Sequence, residues 1–402
     1  MSSEGIARRL GRGAGRLDEG LGRLILAFAL LTLSIQVLGW VGWLGPMGLL
    51  TLHGAIALGL AARGPSVSDV TRQTVSSTSL LQSQARPLIV AFLVPYATFL
   101  AAMLLRPPML GDDLGYHLPT AVQWIQAGHI RDYLPFQATG CFPMNGECLS
   151  FWLLVWTHDD SFASLLNLLL FPAVLAVFVR VGRAVRIGDE YSFAAGTLFL
   201  FTPGVCWTQA GSNKVDTYAV LLLLAGLAWI LEIGAKRGGR REVALAAIAL
   251  GLSAGVKYTS VLLGGLLALA AGWAALGGDP ERLGRTQARR VLLAGVAIAT
   301  AVVVLAGYWY ARNLLRMVNP FHPFEVSPGE AKLHPGSIAI SLRHVIGRRI
   351  LSLGLLFLLP GVLLAPLLHV WSKGDGGRLA LAVYLLPVPL TINNSTCLIS
   401  GT

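Results

Sequence analysis

Apolar residues along this chain run in long uninterrupted blocks, and polar residues collect between the blocks rather than alternating within them. An α-helix rises about 1.5 Å per residue and a bilayer's hydrocarbon core is about 30 Å thick, so one crossing takes about 20 apolar residues. The block from Leu24 to Ala62 is nearly twice that length and is broken by Gly42, Gly45 and Pro46. It predicts two spans joined by a tight turn. Residues 63–87 form a polar linker rich in Ser, Thr and Gln, and Leu88–Leu105 predicts the third span. Further spans are expected at 161–182, 191–210, 214–234, 242–257, 259–276, 291–311, 350–371 and 379–393, about eleven in all.

The pair 242–276 could instead be one very long helix. The loops on either side, Lys236 to Arg241 and Arg282 to Arg290, are both strongly basic. Cytoplasmic loops collect Lys and Arg, so both belong on one face, which requires a hairpin turning at Lys257-Tyr258-Thr259. With the N-terminus in the cytoplasm, most basic residues fall inside, and two long loops, 106–160 and 312–349, fall outside. Within the first loop, His117–Gly128 has Pro119 near its start, apolar Leu118, Val122 and Ile125 at helical spacing, and a Gly stop. It predicts an amphipathic helix lying in the membrane interface. Residues 147–157, with Phe151, Trp152 and Trp156, read the same way, because tryptophan favours headgroup depth.

Composition agrees with this all-α, polytopic bundle. Hydrophobic residues make up 54% and charged residues 13%, with mean hydropathy +0.66; soluble domains carry about 25% charged residues. The net charge of +11 lies in short loops between spans, which makes it a topology signal and not a nucleic-acid stripe. Arg8, Arg9, Arg12, Arg16 and Arg23 precede the first block, and no small-residue cleavage site follows it, so an uncleaved first span is expected. No Walker loop, CxxC, HExxH or nucleophile elbow occurs. Cys141 and Cys148 lie in the first outer loop, where a disulfide or two free thiols are both open.

The expected outer ends of the helices and loops present Asp112, Asp113, Tyr116, His117, Glu147, Lys214, Asp216, Lys257, Tyr258, Arg312, Asn313 and His322. Helix ends at an interface always carry polar residues, which accounts for most of these singly. Lys257 is harder to dismiss, because a lone lysine within a nearly uncharged stretch is costly unless paired or useful. Asp112 and Asp113 could simply cap the interfacial helix. Arg312 could snorkel at a helix end, Glu147 could hydrogen-bond within its loop, and Asp159 and Asp160 could cap the fourth span.

Several stretches are similar to a known group. Gly111-Asp-Asp-Leu-Gly-Tyr-His-Leu-Pro119, leading into a helix with Trp124, resembles the first external loop of GT-C glycosyltransferases. More narrowly, it resembles the bacterial group related to protein mannosyltransferases, the lipid A aminoarabinose transferase and the Rgt-type galacturonosyltransferases. Pro143-Met-Asn-Gly-Glu147 resembles that group's Pro-x-Asn-x-Glu stretch, and Lys214-Val-Asp216 its Asp-containing helix start. Gly251-Leu-Ser-Ala-Gly-Val-Lys257-Tyr-Thr resembles Gly-x-x-x-Gly-x-Lys-Tyr-Thr. Trp309-Tyr-Ala-Arg312-Asn313 with Asn319-Pro-Phe-His-Pro323 resembles Trp-x-x-Arg-Asn and Asn-Pro-x-Tyr-Pro, with His322 in place of Tyr. The resemblance covers roughly 88–330, which becomes the catalytic transmembrane core. Residues 1–87 are an N-terminal addition of two spans and the linker, and 331–402 are C-terminal spans whose tail, Ile392 to Thr402, reads as cut short.

The resemblance implies an inverting transferase at the cell membrane that moves a sugar from a polyprenyl-phosphate donor to an extracytoplasmic hydroxyl of a glycan, lipid or protein. It implies Asp112 as general base, with Asp113 sharing or replacing it. Lys257 and Arg312 are implied to meet the donor phosphate, and Tyr116, His117, Glu147, Asp216, Tyr258 and Asn313 to line the substrates. Glu147 with Asp112 could hold a divalent metal, but one nearby His and no closed ligand set argue against committing to one. The expectation is therefore no cofactor, no nucleic acid, and membrane lipid as a partner. A multi-pass transporter of an anionic substrate is the alternative; it should show broken helices and mid-membrane charge.

Overall fold

In the computed structural model, residues 3–63, 86–104, 112–131, 138–160, 162–163, 165–202, 205–234, 239–275, 285–317 and 319–321 are described. The first apolar block divides where its glycines and proline predict. α1 (Ser3–Val41) ends as Gly42 turns left-handed, and Pro46 opens α2 (Pro46–Arg63). A proline there sacrifices no helical hydrogen bond. Then come α3 (Arg86–Leu104), a π-helical turn (Asp113–His117), α4 (Leu118–Ala127), α5 (Glu147–Thr157), α6 (Leu165–Ala184) and α7 (Asp189–Leu200). A second π-helical turn (Cys206–Ala210) leads to α8 (Asp216–Gly234), α9 (Arg240–Ala254), α10 (Tyr258–Ala275) and α11 (Arg285–Met317). The described residues contain no strand.

Among the described residues, four stretches are long and apolar enough to cross a membrane: Leu17–Val41, Leu165–Ala184, Asp216–Ile233 and Leu292–Arg316. Pro46–Gly59 and Pro87–Met103 are shorter apolar helices. The span expected over 191–210 is not one helix. α7 has 12 residues, about 18 Å at 1.5 Å each, and the chain continues as the π-helical turn. The expected spans 350–371 and 379–393 lie outside the described residues, as do most of the linker at 63–87 and of the loop at 312–349.

The break within 242–276 is real. α9 ends at Ala254, Gly255 and Val256 turn, and α10 starts at Tyr258. A Cβ on Gly264 would lie 3.5 Å from Leu250, so the two helices fold back on each other as a hairpin. The two short helices of the first loop also form. α4 carries Pro at its start and ends at Gly128 with φ 68°. It buries Leu118, Ala121 and Trp124 and leaves Val122 exposed. α5 turns its Trp152 and Trp156 outward.

α8 is the axis of the bundle. Every residue from Val215 to Ile230 is buried, as expected for a helix apolar all round. It packs against α6, α9 and α10, while α1 supplies Leu21, Ile25 and Phe28 to the same core. A smaller core lies under α4 and α5, where Trp124 stacks on Trp309 of α11 with centroids 5.9 Å apart. α11 leaves Leu292, Val296, Val303 and Leu315 exposed on its other side.

Contacts sort the helix ends into two groups. Leu44 after α1 donates to the Gly128 carbonyl after α4 at 2.8 Å, and Asn145 before α5 donates to Gly255 after α9 at 2.8 Å. At the opposite end, Arg180 of α6 pairs with Asp18 of α1 and, at 2.6 Å, with Glu232 of α8. The expected site residues that are described lie at or beside the first of these ends.

Candidate functional site

The six residues Ser212 to Thr217, between the second π-helical turn and the body of α8, form the hub of the site. The Asn213 N–H donates to Asp113 Oδ1 at 2.8 Å, and its side chain donates to Ser150 of α5 at 2.7 Å. Lys214 Nζ lies 2.8 Å from Asp112. Asp216 pairs with Lys257 through one oxygen and accepts from Gln209 at 3.2 Å through the other. Thr217 donates in turn to Gln209 at 3.3 Å. Asn167 of α6 holds the hub from beneath by donating to the carbonyls of Ser212 (3.0 Å) and Lys214. Lys257, in the turn between α9 and α10, is thus matched by Asp216 at the start of α8.

The first π-helical turn carries the acidic side. Neither Asp112 nor Asp113 makes a capping bond to the turn it opens, so the plain capping explanation for the pair fails. Asp112 reaches out to Lys214 and is 28% exposed, whereas Asp113 is fully buried. Burial pushes the Asp113 carboxyl up to about 6, against the Asn213 N–H bond and the charges of His117 and Lys214. Its Oδ2 has no hydrogen-bond partner. His117 Nδ1 lies 2.8 Å from Glu147 Oε1, both side chains are buried, and Glu147 Oε2 is also unpartnered. Tyr116 stacks beside His117, with ring centroids 4.0 Å apart. Burial raises its phenol well above the ordinary value, and Glu147, Asp112, Asp216 and Asp113 all push the same way. One tyrosine thus stands within the field of four carboxylates drawn from three separate segments.

Phe142 joins this acidic side to the cationic one. Its ring meets Tyr116 at 6.1 Å and Tyr258 at 6.2 Å, and its carbonyl accepts from Arg312 at 3.2 Å. The Arg312 guanidinium lies 5.1 Å from the centroid of the Trp309 ring and donates to Asn313 Oδ1 at 3.0 Å. Asn313 donates to the Cys141 carbonyl at 2.6 Å and the Tyr258 hydroxyl at 2.7 Å, and Tyr258 also donates to Cys141 at 2.9 Å. Arg312 is therefore fixed by stacking and by a backbone carbonyl, unlike a freely snorkelling side chain.

The structure gathers Asp112, Asp113, Tyr116, His117, Glu147, Lys214, Asp216, Lys257, Tyr258, Arg312 and Asn313 into one connected region. His322 lies outside the described residues. Asp112 and Lys257 do not meet each other; each has its own opposite charge two residues apart on the hub. Sequence reasoning missed Asn213, Gln209, Ser150 and Phe142, and gave Asn145 no role. For Gln209 a signal existed, a polar side chain inside an apolar block just past Pro203-Gly204. Both π-helical turns fall at this site, a placement such turns often take.

Cys141 and Cys148 are free thiols. Cys148 is buried in α5, with its Sγ 3.5 Å from the Met144 carbonyl, so the disulfide alternative is not realised. Among the described residues no group of three His, Cys, Asp or Glu side chains stands together as a metal site. Comparison of the chain with protein-family models, with curated proteins and with solved structures found no match.

Proposed function

We propose that the chain is an integral membrane glycosyltransferase that moves a sugar from a polyprenyl-phosphate donor to an acceptor hydroxyl, with inversion at the sugar carbon. The observation that carries this reading is the run of contacts from the turn holding Asp112 and Tyr116, through Phe142, to Arg312 and to Tyr258, the residue after Lys257. The motifs similar to GT-C transferases supply these residues in the same order. In the reaction, the acceptor oxygen attacks the anomeric carbon while the carbon–oxygen bond to phosphate breaks. The acceptor proton passes to a carboxylate, and the polyprenyl phosphate leaves with the bonding electron pair. Asp112 suits the proton transfer because it is open to a hydroxyl, while Asp113 is sealed behind it. A carboxylate can take this proton as the glycosidic bond breaks and the hydroxyl becomes acidic. Lys257 and Arg312 suit the phosphate, whose negative charge grows as it leaves.

The same reading has about eleven spans, a cytoplasmic N-terminus, and the site end facing out from the cell membrane. The positive-inside distribution of Arg and Lys supports it, as does the alternation of helix ends between two groups. The acceptor would be a glycan, lipid or protein on that face.

A transporter of an anionic substrate is the second reading. The observation in its favour is the interruption of α7 at Leu200, followed by a π-helical turn that brings Gln209 to Asp216. Discontinuous helices of this kind line transport sites.

Two substitutions separate the readings in membranes supplied with polyprenyl-phosphate sugars. Asp112→Asn is nearly isosteric and should remove transfer by about 10²–10⁴-fold, the usual contribution of a general base. Lys257→Ala should raise the donor KM as well as lower kcat, because the phosphate is charged before and during reaction. A transporter reverses this ranking, with Lys257 dominant and Asp112 dispensable. Full turnover in Asp112→Asn moves the base to Asp113, and indifference to the loss of both carboxylates ends the enzyme reading.

A further inference from the structure

We propose that Asn145 is the positioning residue that sets Lys257 and Arg312 against one phosphate-bearing ligand. The inference rests on the transferase reading for the identity of that ligand. Asn145 is fully buried between α1, α9 and α11, and its backbone N–H and both polar atoms of its side chain are engaged. Its backbone N–H donates to the Gly255 carbonyl at 2.8 Å. Its Nδ2 donates to the carbonyls of Leu252 at 3.1 Å and Leu305 at 3.0 Å. Its Oδ1 accepts from Trp309 Nε1 at 2.7 Å and from Gln36 Nε2 at 3.0 Å.

Both cations hang from these partners. Lys257 follows Gly255 by two residues in the turn between α9 and α10. Arg312 lies one helical turn beyond Trp309 on α11 and packs on that indole. Glu147, whose carboxylate faces His117, follows Asn145 by two residues. One amide therefore fixes the end of α9, the register of α11 and the start of α5 relative to one another. Gln36 locks the node from α1 by donating also to Leu305 O at 3.1 Å. The fit leaves no spare room: a Cβ on Gly255 would lie 2.0 Å from Asn145 Nδ2. An amide suits the node because it donates to two carbonyls while accepting from an indole N–H and a second amide. Of the side chains this size, only Asn offers both from one plane. Left unmade in the interior, these bonds are costly, which makes the geometry definite.

The test uses the full chain in lipid nanodiscs. Asn145→Asp keeps the shape but points an oxygen at the Leu252 and Leu305 carbonyls, and Gln36→Met is the milder variant that removes one support. The measurements are donor KM, acceptor KM and kcat for transfer, together with binding of polyprenyl phosphate alone by native mass spectrometry. Misplaced cations should raise the donor KM and weaken polyprenyl-phosphate binding by about tenfold to a hundredfold in Asn145→Asp, the scale of a charge-assisted hydrogen bond. Gln36→Met should show a smaller shift in the same direction, with the acceptor KM unchanged. A residue needed only for folding would lower the active fraction and leave both KM values and the binding constant as they were, and that result overturns the proposal. Should the wild type bind polyprenyl phosphate tightly yet transfer no sugar, the transferase reading falls while weakened binding in Asn145→Asp still supports the positioning role. No binding by the wild type overturns both.

Discussion

The two ends of the bundle use similar residues to opposite purpose. At the end holding Arg180, the buried charge is a cation with acids gathered around it. That buried guanidinium meets Asp18 and Glu232, joining α1, α6 and α8, and Arg183 grips Asp189 through two bonds of 2.8 and 2.6 Å. At the other end the buried charges are carboxylates, Asp113, Glu147 and Asp216, and Asp113 and Glu147 each keep an oxygen without a hydrogen-bond partner, whereas the atoms so left at the Arg180 end are guanidinium nitrogens. Buried polar atoms without partners cost stability, and such cost is commonly concentrated where chemistry is done. We call the Arg180 end the lock; the other is the end proposed above to take a ligand.

Breaking the lock should give the largest change in stability. Arg180→Met would leave Asp18 and Glu232 without their common cation, and removing one partner from a buried ion pair typically costs about 3–5 kcal/mol. Thermal unfolding in detergent should show this loss, while the donor KM of the surviving folded protein stays the same. Neutralising the acids as well, with Asp18→Asn and Glu232→Gln, should recover much of it. An unchanged melting point in Arg180→Met would mean that the two ends do not differ in the way described.

A smaller and pH-dependent change belongs to the site end. Asp113 binds its proton more tightly in the folded protein, at about 6 against an ordinary 3.8. Its contribution to stability is therefore whole below about pH 4 and is lost as the pH rises through about 6. The wild type should lose melting temperature across this window, and Asp113→Asn should lose distinctly less. Identical profiles would remove Asp113 as a source of the cost.

Much of this plan was legible from the chain because hydropathy and helix punctuation are local. The turn at Gly42–Pro46 and the Pro119 start and Gly128 stop of α4 follow from residues adjacent to the feature itself, and the break before Tyr258 follows from the basic loops on either side of its helix pair. The pairings were not legible. Lys214 and Lys257 each had several carboxylates at the same end, and only the placement of the hub beside both the first π-helical turn and the α9–α10 turn decides that Lys214 meets Asp112 and Lys257 meets Asp216. Arg180 was hidden for a related reason. It reads as one more basic residue before a cytoplasmic loop, although its partners lie 162 residues before it on α1 and on α8. The end of α7 was masked because Val205, Cys206 and Trp207 keep the block apolar beyond the helix, so hydropathy alone ran through the break.

We propose that the lock and the site stand on opposite faces of a membrane, with the site outside. Gly115 and Gly239 are both exposed, and a Cβ at Gly115 would meet nothing within 4 Å. Gly115→Cys and Gly239→Cys would be placed separately in a chain whose cysteines at 141, 148, 206 and 397 are replaced by serine. Intact cells would then be treated with a membrane-impermeant thiol reagent. The account predicts that Gly115→Cys is labelled in intact cells and Gly239→Cys only after permeabilisation. Equal labelling of the two, or labelling of Gly239→Cys alone, would contradict it.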